Sequence, residues 1–151
     1  MWIDQRGSEI LPWPECLRLL AVAAKEDQFG RLAVNDGESP VVVPLNFTFH
    51  DRALLVRIGQ GRTWELVPGA LVAFEVDRVE PELGWAWSVL VRGLASLLDP
   101  DGELAGRAPA PWVPEPGEKV ISIRTDVVTG RRFRLVEHGS SDAAGTPGVP
   151  A

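Results

Sequence analysis

The stretch from Leu71 to Leu97 limits what this chain can fold into more than any other. An apolar run ending in Val72-Ala-Phe-Glu-Val-Asp77 is followed by a short polar loop with Pro81 and Gly84. Trp85-Ala-Trp-Ser-Val-Leu-Val-Arg-Gly-Leu-Ala-Ser-Leu97 comes next. In the second run Trp87, Val89, Val91 and Gly93 alternate with Ser88, Leu90 and Arg92, the period of two that puts side chains on opposite faces of a strand. Two long consecutive strands of this kind form the back of an antiparallel sheet. Arg92 and Gly93 are unusual in the middle of one. A charge there needs a partner or water, and a glycine weakens a strand unless something packs closely against it. Such a wall borders a site or an interface.

The rest of the chain supplies further strands. Met1 to Trp13 lacks periodicity and reads as an arm (1–13). Pro14 and Glu15 suit a helix start, and Leu17, Leu20, Ala21 and Ala24 recur at helical spacing, so Pro14 to Lys25 is a helix with one apolar stripe. Cys16 belongs to that packing. Arg31 to Asn35 is a short strand, and Asn35-Asp36-Gly37 carries the residues that tolerate a hairpin turn. Pro40 to Phe49 returns antiparallel, with an edge, bulge or break expected at Pro44, which cannot donate to a ladder. Ala53 to Ile58 then completes a three-stranded meander. Gly59 to Leu66 is a glycine-marked turn entering a short helix, without the third glycine or the βαβ setting of a dinucleotide fingerprint. A weak helical stretch surrounds Glu103 to Gly106, and Ala108 to Gly117 is a proline-rich crossing anchored by Trp112. Glu118 to Arg124 is another strand, Thr125 to Gly130 turns, and Arg131 to Val136 forms a last short strand. Residues 138–151 are rich in Gly, Ala, Ser and Pro and are expected to be disordered. About six or seven antiparallel strands with one leading helix describe a small all-β barrel domain over residues 14–137.

Charge and composition narrow the function. With a net charge of −6, no broad basic surface exists for a phosphate backbone, so nucleic acid is not an expected partner. Arginine carries almost all the positive charge, the only lysines being Lys25 and Lys119. Individual arginines in strands are therefore candidates for holding phosphate or carboxylate through a planar fork. One cysteine excludes an internal disulfide, and two histidines leave little for a metal site, so no metal is expected. His50 and His138 read as surface residues. Asp4, Arg6 and Glu9 interrupt any apolar leader and no run approaches a membrane span, so a cytoplasmic protein without a membrane partner is expected. There is no Ser-His-Asp series, telling carboxylate pair or phosphate loop.

An ordered series of short motifs carries a resemblance. The leading helix, Gly30-Arg-Leu-Ala-Val34, Pro40-Val-Val-Val-Pro-Leu-Asn-Phe47, Leu55-Val-Arg-Ile-Gly59, Val72 to Asp77 and Trp87 to Gly93 occur in the order seen in the pyridoxamine 5'-phosphate oxidase-like family. The likeness spans about Pro14 to Phe133 and is nearest to the short actinobacterial-type and nitroimidazole-reductase-like members. It implies a six-stranded antiparallel split β-barrel of Greek-key type with a leading α-helix, forming a homodimer with FMN at the interface. The implied activity is FMN-dependent oxidoreduction of a small-molecule substrate, with no catalytic residue identified.

The resemblance also implies site residues. Val43, Pro44, Leu45, Asn46 and Phe47 would lie along the flavin ring. Arg57, Gly59, Arg62 and Thr63 match the phosphate-binding segment. Trp87, Arg92 and Arg131 sit where a partner subunit completes the site. An Arg beside a glycine turn and a helix start is also a sensible monophosphate cradle on chemical grounds alone. Each residue has a plainer reading too. Arg57 suits a surface ion pair with Glu65, Arg92 an interface salt bridge with Glu75 or Asp77, and Trp87 a core or interface aromatic. Asn46 suits a turn and Thr63 a helix cap. Thr63-Trp64 stands where the resembled pattern has a Ser-Lys pair. That departure keeps a deazaflavin or haem as alternative cofactors, and a non-catalytic storage or sensing module as the alternative function.

Overall fold

The computed structural model describes residues 2–3, 7–111 and 117–136. The expected tail, the Trp112 anchor and part of the N-terminal arm lie outside these residues. The first two strands are short, β1 (Trp2–Ile3) and β2 (Glu9–Ile10). Helix α1 (Trp13–Lys25) follows, with Pro14 in its first turn and Cys16, Leu19, Leu20 and Ala23 buried. The hairpin of β3 (Phe29–Asn35) and β4 (Pro40–Asn46) turns as expected: Asn35 accepts from the Gly37 amide, and Gly37 adopts a φ of 95°. Next come β5 (Thr48–His50), β6 (Ala53–Ile58) and the five-residue helix α2 (Arg62–Leu66). Strands β7 (Leu71–Glu80) and β8 (Trp85–Leu97) form the long hairpin, and β9 (Lys119–Arg124) and β10 (Val127–Arg134) end the described fold.

Strand β8 is shared by two arms of one curled antiparallel sheet. One arm runs β1-β2-β10-β8-β7-β3-β4; the other passes from β8 through β9 and β6 to β5. Along β8, Trp85 to Arg92 pair with β10, whereas Ala95 to Leu97 pair with β9. The exchange happens at Gly93, where an added Cβ would lie 1.9 Å from the Arg124 carbonyl oxygen. That backbone approach explains the glycine noted in the sequence and opens the split in the barrel. Inside the curl, Trp87, Val89 and Val91 meet α1, Leu32 and Val76, while Phe47 packs edge-on against Phe74 at 5.2 Å between ring centres.

Two expectations need correction. The strand expected from Pro40 to Phe49 is two strands, β4 pairing β3 in one arm and β5 pairing β6 in the other, so no single meander forms. Of the edge, bulge or break expected at Pro44 the structure shows the edge, and the arms part further on, at Phe47. Pro44 stays in register opposite Arg31, and β4 is the end strand of its arm, so a missing donor costs little there. Gly130 lies within β10 instead of ending a turn. An added Cβ would come within 2.6 Å of Cys16 Sγ, so the glycine lets α1 sit against the sheet.

The face of the main arm that points away from this core is also largely apolar. Alternation puts Ala33, Val42, Ala73, Leu90, Leu94 and Val127 on it, with Val42 59% and Val127 44% exposed. Its charges are Arg31, Glu75, Asp77, Arg92 and Arg131. Arg31 Nη1 donates to Glu75 at 3.0 Å and Asp77 at 3.3 Å. Desolvation, then the neighbouring Asp77, push the Glu75 carboxyl up from 4.5 to about 6. The folded chain thus holds this proton more tightly than the unfolded one, and the associated stability is lost as pH rises through about 4.5 to 6. In thermal melts across that window, Glu75→Gln is expected to flatten the slope; an unchanged slope would remove Glu75 as its source.

Candidate functional site

One cleft gathers most of the residues expected at a ligand site. Its floor is the end of β4, where Val43, Pro44, Leu45 and Asn46 run along one side. The other side is the end of β6 and the turn into α2, contributing Arg57, Gly59, Gly61 and Thr63. The cleft has a volume of about 330 Å³ and is bounded further by Pro111 and Glu118. Glycines at 59 and 61 keep side chains out of the turn, and Gly61 takes a φ of 152°, at the edge of the range that favours glycine.

Arg57 dominates the chemistry of this cleft. Its Nε donates to the Pro109 carbonyl at 2.9 Å and its Nη2 to the Ala105 carbonyl at 3.3 Å. Among the described residues it enters no ion pair, so the expected alternative with Glu65 is not formed. A guanidinium carries five N–H groups. Two neutral carbonyls take two of them here and leave the positive charge unneutralised. Asn46 is fixed in a related way, Nδ2 donating to Ala110 O at 2.8 Å.

Of the remaining five candidates, Arg62 stands in the chain between the cleft residues Gly61 and Thr63, with its side chain outside the described structure, and the other four lie elsewhere. Phe47 is in the core against Phe74. Arg62 is the first residue of α2, and a five-residue helix has too few aligned peptides to supply the dipole expected of it. Trp87 is 3% exposed and borders a different hollow, beside Trp85, Leu19 and Arg132. Arg92 and Arg131 are on the outer sheet face, where Arg92 borders an apolar hollow with Leu71 and Val127, and Arg131 Nη1 donates to Ser8 Oγ at 3.1 Å. Within a single chain none of these three reaches the cleft.

Two contributors were not visible in the sequence. Lys119 on β9 places Nζ 3.2 Å from the centre of the Trp64 ring, so a cation does reach Trp64, though from another strand. Trp64 Nε1 also donates to the Gly117 carbonyl. The second contributor is the segment 105–110, whose carbonyls hold Arg57 and Asn46. Pro109 belonged to the proline-rich crossing expected from Ala108 to Gly117, but the sequence did not say where that crossing leads.

A split barrel with an arginine-bearing cleft at the edge of its sheet defines a class of small antiparallel ligand-binding folds. The profile of the pyridoxamine 5'-phosphate oxidase family matches residues 12–132, and the chain belongs to that family. It is 30% identical over 130 residues to the uncharacterised protein Rv0080 of Mycobacterium tuberculosis, covering 79% of this chain and 81% of that protein. Among solved structures it is similar to a candidate pyridoxamine 5'-phosphate oxidase from Corynebacterium glutamicum. The TM-score is 0.70 and the identity 29%, over 90% of this chain and all of that one. It is also similar to an FAD binding protein from Mycobacterium smegmatis, with a TM-score of 0.67 and 27% identity over 83% and 98% of the two chains. No helix among the described residues is long and apolar enough to cross a membrane.

Proposed function

We propose that the chain is a homodimeric FMN-dependent oxidoreductase acting on a small molecule in the cytoplasm. The observation that carries this reading is Arg57, a cation in the cleft with no carboxylate partner among the described residues and one edge already fixed by carbonyls. A phosphate monoester matches the charge and shape of the N–H groups that those carbonyls leave over. The glycine turn lets it approach closely, and Val43 to Leu45 offer an apolar side for a flat ring. Thr63 and Arg62 belong to the phosphate end in this reading. Bound flavin would supply the hydride or electron chemistry, while the protein orients it and excludes water.

The second copy covers the outer sheet face. That face carries Leu90, Val42 and Val127 beside both signs of charge, Arg92 and Arg131 with Glu75 and Asp77, so it is complementary to itself across a twofold axis. Arg92 and Arg131, which lie on that face, then belong to completion of the site from the partner rather than to the cleft of their own chain, while Trp87 stays in the core on the opposite face.

FAD and a deazaflavin phosphodiester offer Arg57 less charge at the same point, and haem offers carboxylates. The Thr63-Trp64 departure favours the non-catalytic alternative, storage or sensing, while Asn46 keeps its second Nδ2 hydrogen after donating one to Ala110 O. Titration with FMN, FAD and riboflavin by calorimetry, with light scattering for the mass, tests the main reading. A dimer that binds FMN about tenfold or more tighter than riboflavin is expected. A monomer, or no FMN binding, would overturn it. Binding without turnover of reduced nicotinamide and an acceptor would favour the storage module.

A further inference from the structure

The segment 105–110 lies across the outer face of β6 and β9 as a strap, and side chains from three strands hold its backbone. Arg57 Nη2 takes the Ala105 carbonyl at 3.3 Å, and Thr48 Oγ1 takes the Arg107 carbonyl at 2.7 Å. Arg57 Nε takes Pro109 at 2.9 Å, and Asn46 Nδ2 takes Ala110 at 2.8 Å. Arg57 and Asn46 border the cleft, whereas Thr48 does not. The strap adds its own turn, with Arg107 N donating to Leu104 O and Ala108 N to Ala105 O. Beneath it Leu55 and Val120 are buried outside the main core, on the same face of β6 and β9 as Arg57.

The order of these contacts matters. Arg107 lies midway between Ala105 and Pro109, the two carbonyls that aim the guanidinium. A hydroxyl fixed at Arg107 O therefore sets both acceptors at once. Without it the side-chain hydrogen bonds that hold the strap, among the described residues, come from the arginine it is meant to orient and from Asn46 at its far end. An arginine that must order both itself and its support loses more freedom when it grips a ligand.

We propose that Thr48 is a positioning residue for the anion-binding arginine, acting through the strap on the phosphate group of a bound ligand. This rests on the phosphate reading of the cleft. Thr48→Val keeps the shape and β-branching of the side chain and removes only the donor, and Thr48→Ser restores the donor.

Thr48→Val is expected to weaken FMN binding about fivefold, the worth of one hydrogen bond, with riboflavin unchanged. Thr48→Ser is expected to stay within about twofold of the parent. In the ligand-free protein, the Arg57 Nε–H and the amides of Arg107 and Ala108 are expected to exchange with solvent faster in Thr48→Val only. Unchanged exchange in Thr48→Val overturns the proposal whatever the ligand does. So does a Thr48→Ser variant that behaves like Thr48→Val, or equal loss of FMN and riboflavin. If the parent binds both ligands alike while exchange responds as expected, the phosphate reading falls and the positioning of Arg57 by Thr48 stands.

Discussion

Gly93→Ala is expected to lower folding stability by about 3 kcal/mol, the upper part of the range for an added methyl that a packed interior cannot accept. The added Cβ would meet the Arg124 carbonyl oxygen at 1.9 Å and its carbon at 2.8 Å. These are backbone atoms in β9, so no rotamer change relieves the contact. Either β8 or β9 has to move, and β8 is bonded to β7, β9 and β10 along its length. Gly106→Ala provides the control, since no heavy atom lies within 4 Å of its added Cβ. Denaturant midpoints of the two variants check the expectation. A Gly93→Ala midpoint equal to that of the parent would mean that the two arms are not locked together at this crossing.

Arg57→Ala is expected to weaken FMN binding by about 10- to 150-fold, from the ~1.5–3 kcal/mol of a hydrogen bond to a charged group. Riboflavin, which has the same ring and no phosphate, is expected to change by less than about threefold, since it forfeits no charge-assisted bond. Arg57→Lys retains the charge but cannot bridge the Ala105 and Pro109 carbonyls and still present a planar fork, so an intermediate loss is expected. Calorimetry with both ligands on each variant separates the outcomes. A parallel loss for FMN and riboflavin would assign Arg57 to holding the strap alone.

The long hairpin was legible because its first strand is an apolar run and its second keeps a period of two from Trp87 to Gly93, which fixes which side chains share a face. Strand β6 and the Asn35-Asp36-Gly37 turn were legible for the same local reasons. The edge at Pro44 was legible too, but the point where the arms part was not: the chain leaves its arm at Phe47, whose ring is drawn into the core against Phe74. Gly130 misled, because a glycine inside a strand and a glycine in a turn look alike until the neighbour that needs the space, here Cys16, is known.

The ordered motifs also led to the cleft, bringing β4 and the β6–α2 turn together. Trp87 was read as a core or interface aromatic or as part of a partner-completed site, and it lies in the core; which of these a strand tryptophan becomes depends on what lies across from it.

By itself the sequence determined the period-two strands, the leading helix, the family, and an arginine next to a glycine turn. These are properties of neighbours in the chain, and Arg92-Gly93 in the middle of the strongest strand already marked a place of close contact. What that contact is, only the tertiary structure decided: β8 changes partners there, and Arg124, thirty-one positions further along the sequence, supplies the carbonyl that excludes a side chain. The same holds for Arg57, whose partners Ala105 and Pro109 are 48 and 52 positions away. Backbone carbonyls carry no residue-specific signature, so an acceptor of this kind cannot be read from composition or spacing.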